Sequence, residues 1–267
     1  MILSVHGLVA SSISGIDADV QAFFDRVTTA GGSLSATEQT AVNTLVVQMK
    51  ADGIWSKMKA VYPMVGASAA ACAQNLKSSS FTGTFTSGWT FASTGVTPNG
   101  TSAYMDTGLN VNNELSGDHS HLAVYSRSLN SGSNDKYQIG CYSTSLASFY
   151  AIDLYGSTGY LGALGSTTTF NTASITNAQG FIGIKKETNN DQKSFRNSTI
   201  LQTKTQTSTV KPNLNIWLGA VNLNSAGYGY SNLQLAFASI GDGLTDAELS
   251  DYYTAVQAFQ TTLSRQV

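Results

Sequence analysis

Charged side chains are scarce in this sequence. Lys, Arg, Asp and Glu make up 11 % of the 267 residues, against about a quarter in ordinary soluble domains. The net charge is −2 at pH 7, so the composition argues against a nucleic-acid-binding protein, which needs a basic face. Hydrophobic residues reach 42 %, so the low charge does not indicate disorder. The composition instead fits strands whose solvent faces carry hydroxyl groups.

Cysteines are equally few. Cys72 and Cys141 lie far apart and do not form the dense framework of a disulfide-stabilised secreted domain. We expect two buried free thiols. No apolar run of about 18 residues occurs, so no membrane span is predicted. Residues 1–16 lack a basic stretch and are interrupted by His6 and Gly7, which favours an extended arm over a signal peptide.

The sequence contains only four glutamates: Glu38, Glu114, Glu187 and Glu248. Glycoside hydrolases need two carboxyl groups that flank the scissile bond. Glu38 and Glu248 each follow a Ser or Thr by three residues, the spacing of a helix capping box, and the other two lie in predicted loops. No nucleophile elbow, P-loop or dinucleotide-binding glycine motif stands in its required context. We therefore predict a protein that is not an enzyme.

The front of the chain carries helix signals. Asp17 is placed to cap a first helix with an apolar face. Ser35 and Glu38 form a capping box for a second helix. A third short helix is predicted over residues 54–62, where Pro63 ends it.

After Gly66 the pattern becomes that of β-strands, because apolar residues alternate with small polar ones between turn residues. The predicted strands are residues 81–85, 89–91, 103–107, 121–126, 137–142, 149–155, 160–164, 180–185, 192–196, 215–221 and 233–239. No alternation of strands with helices indicates a parallel sheet. The last two runs are interpreted as a closing hairpin. Thr245 and Glu248 then form a second capping box for a C-terminal helix.

The predicted fold class is mainly β: an antiparallel jelly-roll β-sandwich with an N-terminal helical subdomain and a C-terminal helix. We divide the chain into three parts. Residues 1–16 form the extended N-terminal arm, residues 17–65 the helical subdomain, and residues 66–267 the β-sandwich with its closing helix.

Three segments resemble a known type of domain. They are residues 53–63 (GIWSKMKAVYP), residues 88–107 (GWTFASTGVTPNGTSAYMDT) and residues 237–248 (FASIGDGLTDAE). Together they resemble bacteriophage virion proteins of the tail, fibre and capsid-decoration type that carry a concanavalin A-like (LamG-like) domain, over about residues 17–267. The resemblance implies a jelly roll with accessory helices that works as a structural or adhesive part of the particle.

The leading hypothesis is therefore a non-enzymatic virion structural protein, located in the virion as a capsid decoration, head fibre or tail appendage. We expect the arm at residues 1–16 to bind other virion proteins, because it contains too few helix caps and turn residues to fold alone. A homo-oligomer is expected by analogy with the family, with a trimer as one alternative. Neither nucleic acid nor membrane insertion is expected.

A second hypothesis is a carbohydrate-binding adhesin that recognises host surface glycans, since sugar-binding faces stack sugar rings on exposed aromatic residues. Tyr228, Tyr230 and Asn232 lie in a glycine-flanked loop and are the candidate contact residues for glycan or for a partner protein. The alternative for this loop is a hairpin tip that packs on the sandwich or on a neighbouring subunit. A third and weaker hypothesis is a glycan hydrolase.

Metal ligands are sparse. His119 and His121 are two residues apart, so on a strand both would point to one face. Asp242 lies between two glycines, where a backbone carbonyl could join it in binding calcium. The alternatives are a solvent-facing strand edge for the histidines and an Asx-turn for Asp242. No cofactor other than calcium is considered.

Overall fold

The fold is that of a computed structural model of the whole chain. It describes residues 15–129, 135–154, 159–166, 170–175, 177–187 and 191–267. The predicted arm at residues 1–16 lies almost entirely outside these ranges, and so do Tyr155 and the end of the strand predicted at 149–155.

Five α-helices accompany two β-sheets in the described part of the chain. The helices are α1 (Ala18–Thr29), α2 (Ala36–Ala51), α3 (Ala69–Cys72), α4 (Val111–Glu114) and α5 (Asp246–Thr262). None of these helices has the length and apolar character needed to cross a bilayer.

The first sheet has eight strands. They are β1 (Met58–Tyr62), β3 (Trp89–Ala92), β4 (Gly95–Pro98), β6 (Ser120–Ser126), β11 (Gly180–Lys186), β12 (Asp191–Arg196), β13 (Thr199–Thr205) and β17 (Leu235–Gly241). The order across the sheet is β13-β12-β11-β6-β17-β4-β3, and β1 pairs with β17. All of these pairs are antiparallel.

The second sheet has nine strands. They are β2 (Thr84–Phe85), β5 (Met105–Asn110), β7 (Tyr137–Ser143), β8 (Ser148–Asp153), β9 (Gly159–Ser166), β10 (Asn171–Ser174), β14 (Asn215–Leu218), β15 (Val221–Leu223) and β16 (Ala226–Tyr228). The order is β10-β9-β8-β7-β14-β5-β2, with the β15–β16 hairpin beside β7. Pairing is antiparallel except between β15 and β7.

The two sheets pack face to face around a core that alternate strand residues supply. Leu122 and Val124 of β6 meet Ile139 and Cys141 of β7 in this core. On the far side of the first sheet a second core lies under helices α1, α2 and α5, and Tyr125 and Phe237 belong to it. The predicted mainly-β sandwich with an N-terminal helical part and a C-terminal helix is therefore confirmed.

Local helix signals in the sequence are confirmed at three positions. The Asp17 side chain caps α1, and the capping boxes of Ser35 with Glu38 and of Thr245 with Glu248 are both formed. Each box satisfies backbone N–H groups that the first helical turn leaves without partners.

The helix predicted over residues 54–62 is wrong. Residues Trp55–Lys57 make a single 3-10 turn, and β1 follows directly. Val61 packs under the helices, whereas Ala60 faces the second sheet. A strand buried on both faces has a nearly continuous apolar sequence, which periodicity alone cannot distinguish from a short buried helix. Pairing with β17, a non-local contact, determines the strand.

The closing hairpin predicted from residues 215–221 and 233–239 is also wrong. β14 pairs with β5 and β7 in the second sheet, and β17 pairs with β6 in the first. The run at 215–221 breaks at Gly219, whose φ of 81° lies in the left-handed region that favours glycine. The chain crosses from one sheet to the other between these two strands.

Both cysteines are buried free thiols, as predicted. Burial raises the pKa of Cys72 to about 12 and keeps the Cys141 thiol protonated as well. Neither thiol is therefore a reactive nucleophile at neutral pH.

Candidate functional site

The structure brings the three predicted metal candidates together at the loop after β17. Nδ1 of His121 donates to the Asp242 carbonyl oxygen at 2.6 Å, and Nε2 lies 3.3 Å from the Ser239 hydroxyl. The Gly243 backbone N–H donates to Nδ1 of His119 at 2.9 Å. Both histidines therefore hold the loop in place.

The electrostatics of this cluster favour a structural role. His121 is fully buried, and burial lowers its pKa to about 4, so the ring is neutral at pH 7. The Asp242 carboxylate lies 3.8 Å from the Lys59 ammonium. Among the described residues, no three His, Cys, Asp or Glu side chains are arranged to hold a metal ion. A calcium site at Asp242 stays a prediction.

The glycan or partner contacts predicted at Tyr228, Tyr230 and Asn232 separate in space. Tyr228 is 51 % exposed at the end of β16. Tyr230 is half-buried, and its hydroxyl lies against Gly227. Asn232 is exposed and lies beside Gly100. The three side chains contact different parts of the fold, and their role in binding stays a prediction.

Tyr228 is the exposed end of an aromatic cluster on the outer face of the second sheet, the face turned away from the first sheet. This outer aromatic cluster consists of Tyr137, Tyr142, Phe149, Phe170 and Tyr228. The Tyr228 ring lies 6.2 Å from that of Tyr137, and Tyr137 lies 5.8 Å from Phe149. Val221 of the β15–β16 hairpin packs in the same cluster. The hairpin thus fixes the position of Tyr228.

A buried carboxyl group lies beneath this cluster. Asp153 is paired with Tyr137 across β7 and β8 and is 2 % exposed. Burial raises its pKa to about 7, with a smaller contribution from Asp135 in the same direction. The Lys136 backbone N–H donates to its Oδ1 at 2.7 Å. A raised carboxyl pKa is a property of many active sites, but this group is covered by protein.

A stacked pair of rings lies on the same outer face, on the other side of β7, with one ring in β14 and the other just before β5. Tyr104 and Trp217 have ring centroids 3.7 Å apart and planes inclined by only 8°. Ile216 and Leu218 point into the core between the sheets, so alternation directs Trp217 outward, and Tyr104 stacks on it. Trp217 is 6 % exposed and Tyr104 is half-buried. Trp217 thus covers one face of the phenol ring, and part of the Tyr104 side chain stays exposed.

Polar groups suited to hydroxyl recognition surround this stack. Asp106 lies opposite Trp217 in the β5–β14 pairing. The Asn215 amide donates to both carboxylate oxygens of Asp106 at 3.2 and 3.3 Å, and the Gly108 N–H donates to Oδ1 at 2.8 Å. Both side chains remain half-buried, with some exposed area.

Packing around the stack leaves one donor unused. The Trp217 indole N–H is buried and has no hydrogen-bond partner among the described residues, which is uncommon in a native fold. Gly140 pairs with Trp217 from β7, and a side chain there would collide with Ala151 on the neighbouring strand. We define the stack site as the group formed by Tyr104, Asp106, Asn215 and Trp217.

Sequence reasoning missed the stack site. The middle motif at 88–107 contains Tyr104 and Asp106, and the run at 215–221 contains Asn215 and Trp217. The available signal was alternation: a Trp two residues after an Asn, on the face opposite Ile216 and Leu218. That β5 and β14 are neighbours is a property of the strand order, which no local pattern shows.

Comparisons with known proteins identify the fold and no more. No protein-family model matches the sequence, and neither does any curated protein. Domain 4 of a GH43 extracellular arabinanase from Geobacillus stearothermophilus, in complex with arabinotriose, has a TM-score of 0.50 and 14 % identity over 73 % of this chain and 98 % of that domain. The binding domain of botulinum neurotoxin serotype D has a TM-score of 0.52 and 12 % identity over 76 % of this chain.

The two matches differ in extent. This chain spans nearly all of the arabinanase domain but only 51 % of the neurotoxin chain. At these identities the similarity supports the β-sandwich and carries no residue-level correspondence.

Proposed function

We propose that this chain is a non-enzymatic carbohydrate-binding β-sandwich domain whose ligand lies on the outer face of the second sheet. The observation that carries the proposal is the stack site, where a half-buried tyrosine ring stacked on a buried tryptophan adjoins carboxylate and amide groups. Sugar rings have apolar faces that pack on aromatic rings, and their hydroxyl groups need polar partners beside the ring.

The architecture suits recognition without large rearrangement. Trp217 is buried in a strand between two paired neighbours, so it holds Tyr104 against a rigid support. Binding to a preorganised surface costs less conformational entropy than binding that must order flexible side chains. The outer aromatic cluster ends in the exposed Tyr228 on the same sheet face, and an extended oligosaccharide could contact both groups.

Fold similarity is consistent with this proposal as an analogy. The arabinanase domain is described in complex with arabinotriose, and the matching region of botulinum neurotoxin D is described as a receptor binding domain. Sandwiches of one architecture carry many unrelated functions, so the site geometry is the stronger argument.

The proposal is tested by screening the chain on a glycan array and measuring the best ligand by calorimetry. Tyr104→Ala should weaken binding about fivefold, because an aromatic stacking contact contributes on the order of 1 kcal/mol. Tyr228→Ala should weaken only the binding of longer oligosaccharides. Tyr253→Ala, a half-buried tyrosine on α5 beside the other sheet, is the matched control. Binding that survives Tyr104→Ala unchanged would place the ligand elsewhere.

The alternative function for a site that binds sugar is hydrolysis of that sugar. Two of the glutamates, Glu38 and Glu248, are occupied as helix caps, and Asp153 is buried beneath aromatic rings. We therefore propose binding without hydrolysis. The bound oligosaccharide should be recovered intact after long incubation with the protein, and release of shorter products would refute this part of the proposal.

A role as a virion structural protein rests on the three sequence motifs alone, since neither matched protein named above is a virion protein. Binding of other virion proteins through residues 1–16, homo-oligomer formation and location in the virion stay predictions. Deleting residues 1–15 should leave a folded domain that binds glycan but does not incorporate into particles. Normal incorporation of the truncated chain would contradict the anchoring role.

A further inference from the structure

Charge is distributed unevenly between the two sheets. Every Lys, Arg or His within the described strands belongs to the first sheet: Lys59, His121, Lys185, Lys186, Lys193, Arg196 and Lys204. The nine strands of the second sheet contain none. Their only charged residues are Asp106 and Asp153, and alternation places both on the outer face.

The loops around the second sheet add little positive charge. Lys136 lies next to Asp135, just before β7. The ammonium of Lys211 is bound to the carbonyl oxygens of Asn112 and Leu115 at 2.7 and 2.8 Å. Between positions 130 and 190, none of the residues outside the described ranges carries a charged side chain. No arginine or lysine of the described residues donates to the stack site.

This distribution restricts the ligand chemically. Proteins recognise carboxylate, sulfate and phosphate groups with Arg, Lys or backbone N–H clusters. At the stack site, the Asp106 carboxylate would instead face any anionic group on the sugar. The polar groups present, a carboxylate and an amide, match the hydroxyl groups of an uncharged sugar, because a hydroxyl both donates and accepts.

We infer that the ligand of the stack site is a neutral oligosaccharide, and that glycans with sialic acid, uronic acid or sulfate next to the stacked ring are rejected. The inference rests on the proposed carbohydrate-binding function and adds the ligand class. Its physical basis is that two negative charges about 4 Å apart repel each other, even in water, enough to change affinity about five- to tenfold.

The test uses matched glycan pairs on an array, each pair consisting of a neutral oligosaccharide and its sialylated, uronic or sulfated form. The neutral member should bind about five- to tenfold more tightly at low ionic strength. The difference should shrink as salt is added, because salt screens the repulsion between exposed charges. In Asp106→Asn, the affinity for the neutral glycan divided by the affinity for its acidic form should move closer to one. Asp251→Asn, which removes a charge on α5, should leave that ratio unchanged.

The outcomes separate the two proposals. Acidic glycans that bind as tightly as their neutral partners, or more tightly, would overturn the inference and leave the carbohydrate-binding function standing. A neutral preference that is insensitive both to salt and to Asp106→Asn would also overturn it. Absence of binding to every glycan of either class would overturn the proposed function itself.

Discussion

The Arg265 guanidinium donates a hydrogen bond to the carbonyl oxygen of Met64 at 2.8 Å, joining the end of the chain to the segment after β1. It also donates to the carbonyl oxygens of Pro63 and Ala236 and to the Gln260 side chain. Arg265 is fully buried, and burial lowers its pKa to about 10, so it stays charged at neutral pH. In the described part of the chain, the hydrogen-bond acceptors of Arg265 are all uncharged oxygens.

Replacing Arg265 should therefore destabilise the whole fold. Arg265→Ala leaves several buried acceptors without donors, and we expect a loss of about 3 kcal/mol in the free energy of unfolding. Urea denaturation followed by fluorescence measures the loss. Arg127→Ala is a useful comparison, because that partly exposed guanidinium also bonds the Arg265 carbonyl from outside the core. Equal, small losses for both variants would contradict this prediction.

His121 should make the protein less stable in acid. Its folded-state pKa is about 4, below the ordinary value of 6.5, because the ring is buried. The unfolded chain therefore binds a proton first as the pH falls. The contribution of His121 to the free energy of unfolding should be fully present above pH 6.5 and fall by about 3 kcal/mol down to pH 4, since each pKa unit corresponds to about 1.4 kcal/mol. Between pH 7 and pH 4 the parent should therefore lose about 3 kcal/mol relative to His121→Gln. A difference between the two proteins that does not change with pH would refute the assignment.

Asp153 should act in the opposite direction. Its folded-state pKa of about 7 lies above the ordinary 3.8, so its contribution is present below pH 3.8 and lost as the pH rises through 7. Asp153→Asn removes this loss of stability at high pH, and its amide oxygen can still accept the hydrogen bond from the Lys136 backbone N–H. The variant should match the parent near pH 4 and exceed its stability at pH 8. Denaturation curves at both pH values decide this, and a variant that is weaker at pH 8 would count against it.

The capping boxes allow a prediction about single hydroxyl groups. Ser35→Ala and Thr245→Ala should each lower the free energy of unfolding by about 1 kcal/mol. Each removes the hydroxyl that accepts from the backbone N–H of a glutamate in the first helical turn. Thr254→Ala, an exposed position in α5, is the control and should change stability by less than about 0.5 kcal/mol. Thermal unfolding of the three variants gives the comparison. Losses no larger than the control's would show that the caps are dispensable.

Local patterns predicted those features whose partners lie close in sequence. Ser35 and Glu38 meet within one helical turn, and alternation along β6 and β7 follows from strand geometry. The helix at 54–62 failed for the converse reason. Its residues pair with β17 across most of the chain, and the apolar run fits either structure until that pairing is known.

For the candidate site, the sequence showed an aromatic-rich chain and drew attention to the glycine-flanked Tyr228. It did not show the Tyr104–Trp217 stack, because each ring lies in a separate motif. Only the order β7-β14-β5 places them together. His119 and His121 were predicted to share one strand face, yet His119 lies just before β6 and binds a loop N–H.

By itself, the sequence determined the fold class, the helix caps, the free thiols and the absence of a strong net charge, since these depend on composition and on neighbours a few residues apart. The tertiary structure decided which strands adjoin, and with that the stacked rings, the buried Asp153 and the segregation of positive charge onto one sheet. The physical reason is that the sequence of a strand shows which of its faces is apolar, whereas packing over the whole chain selects the strands with which it pairs.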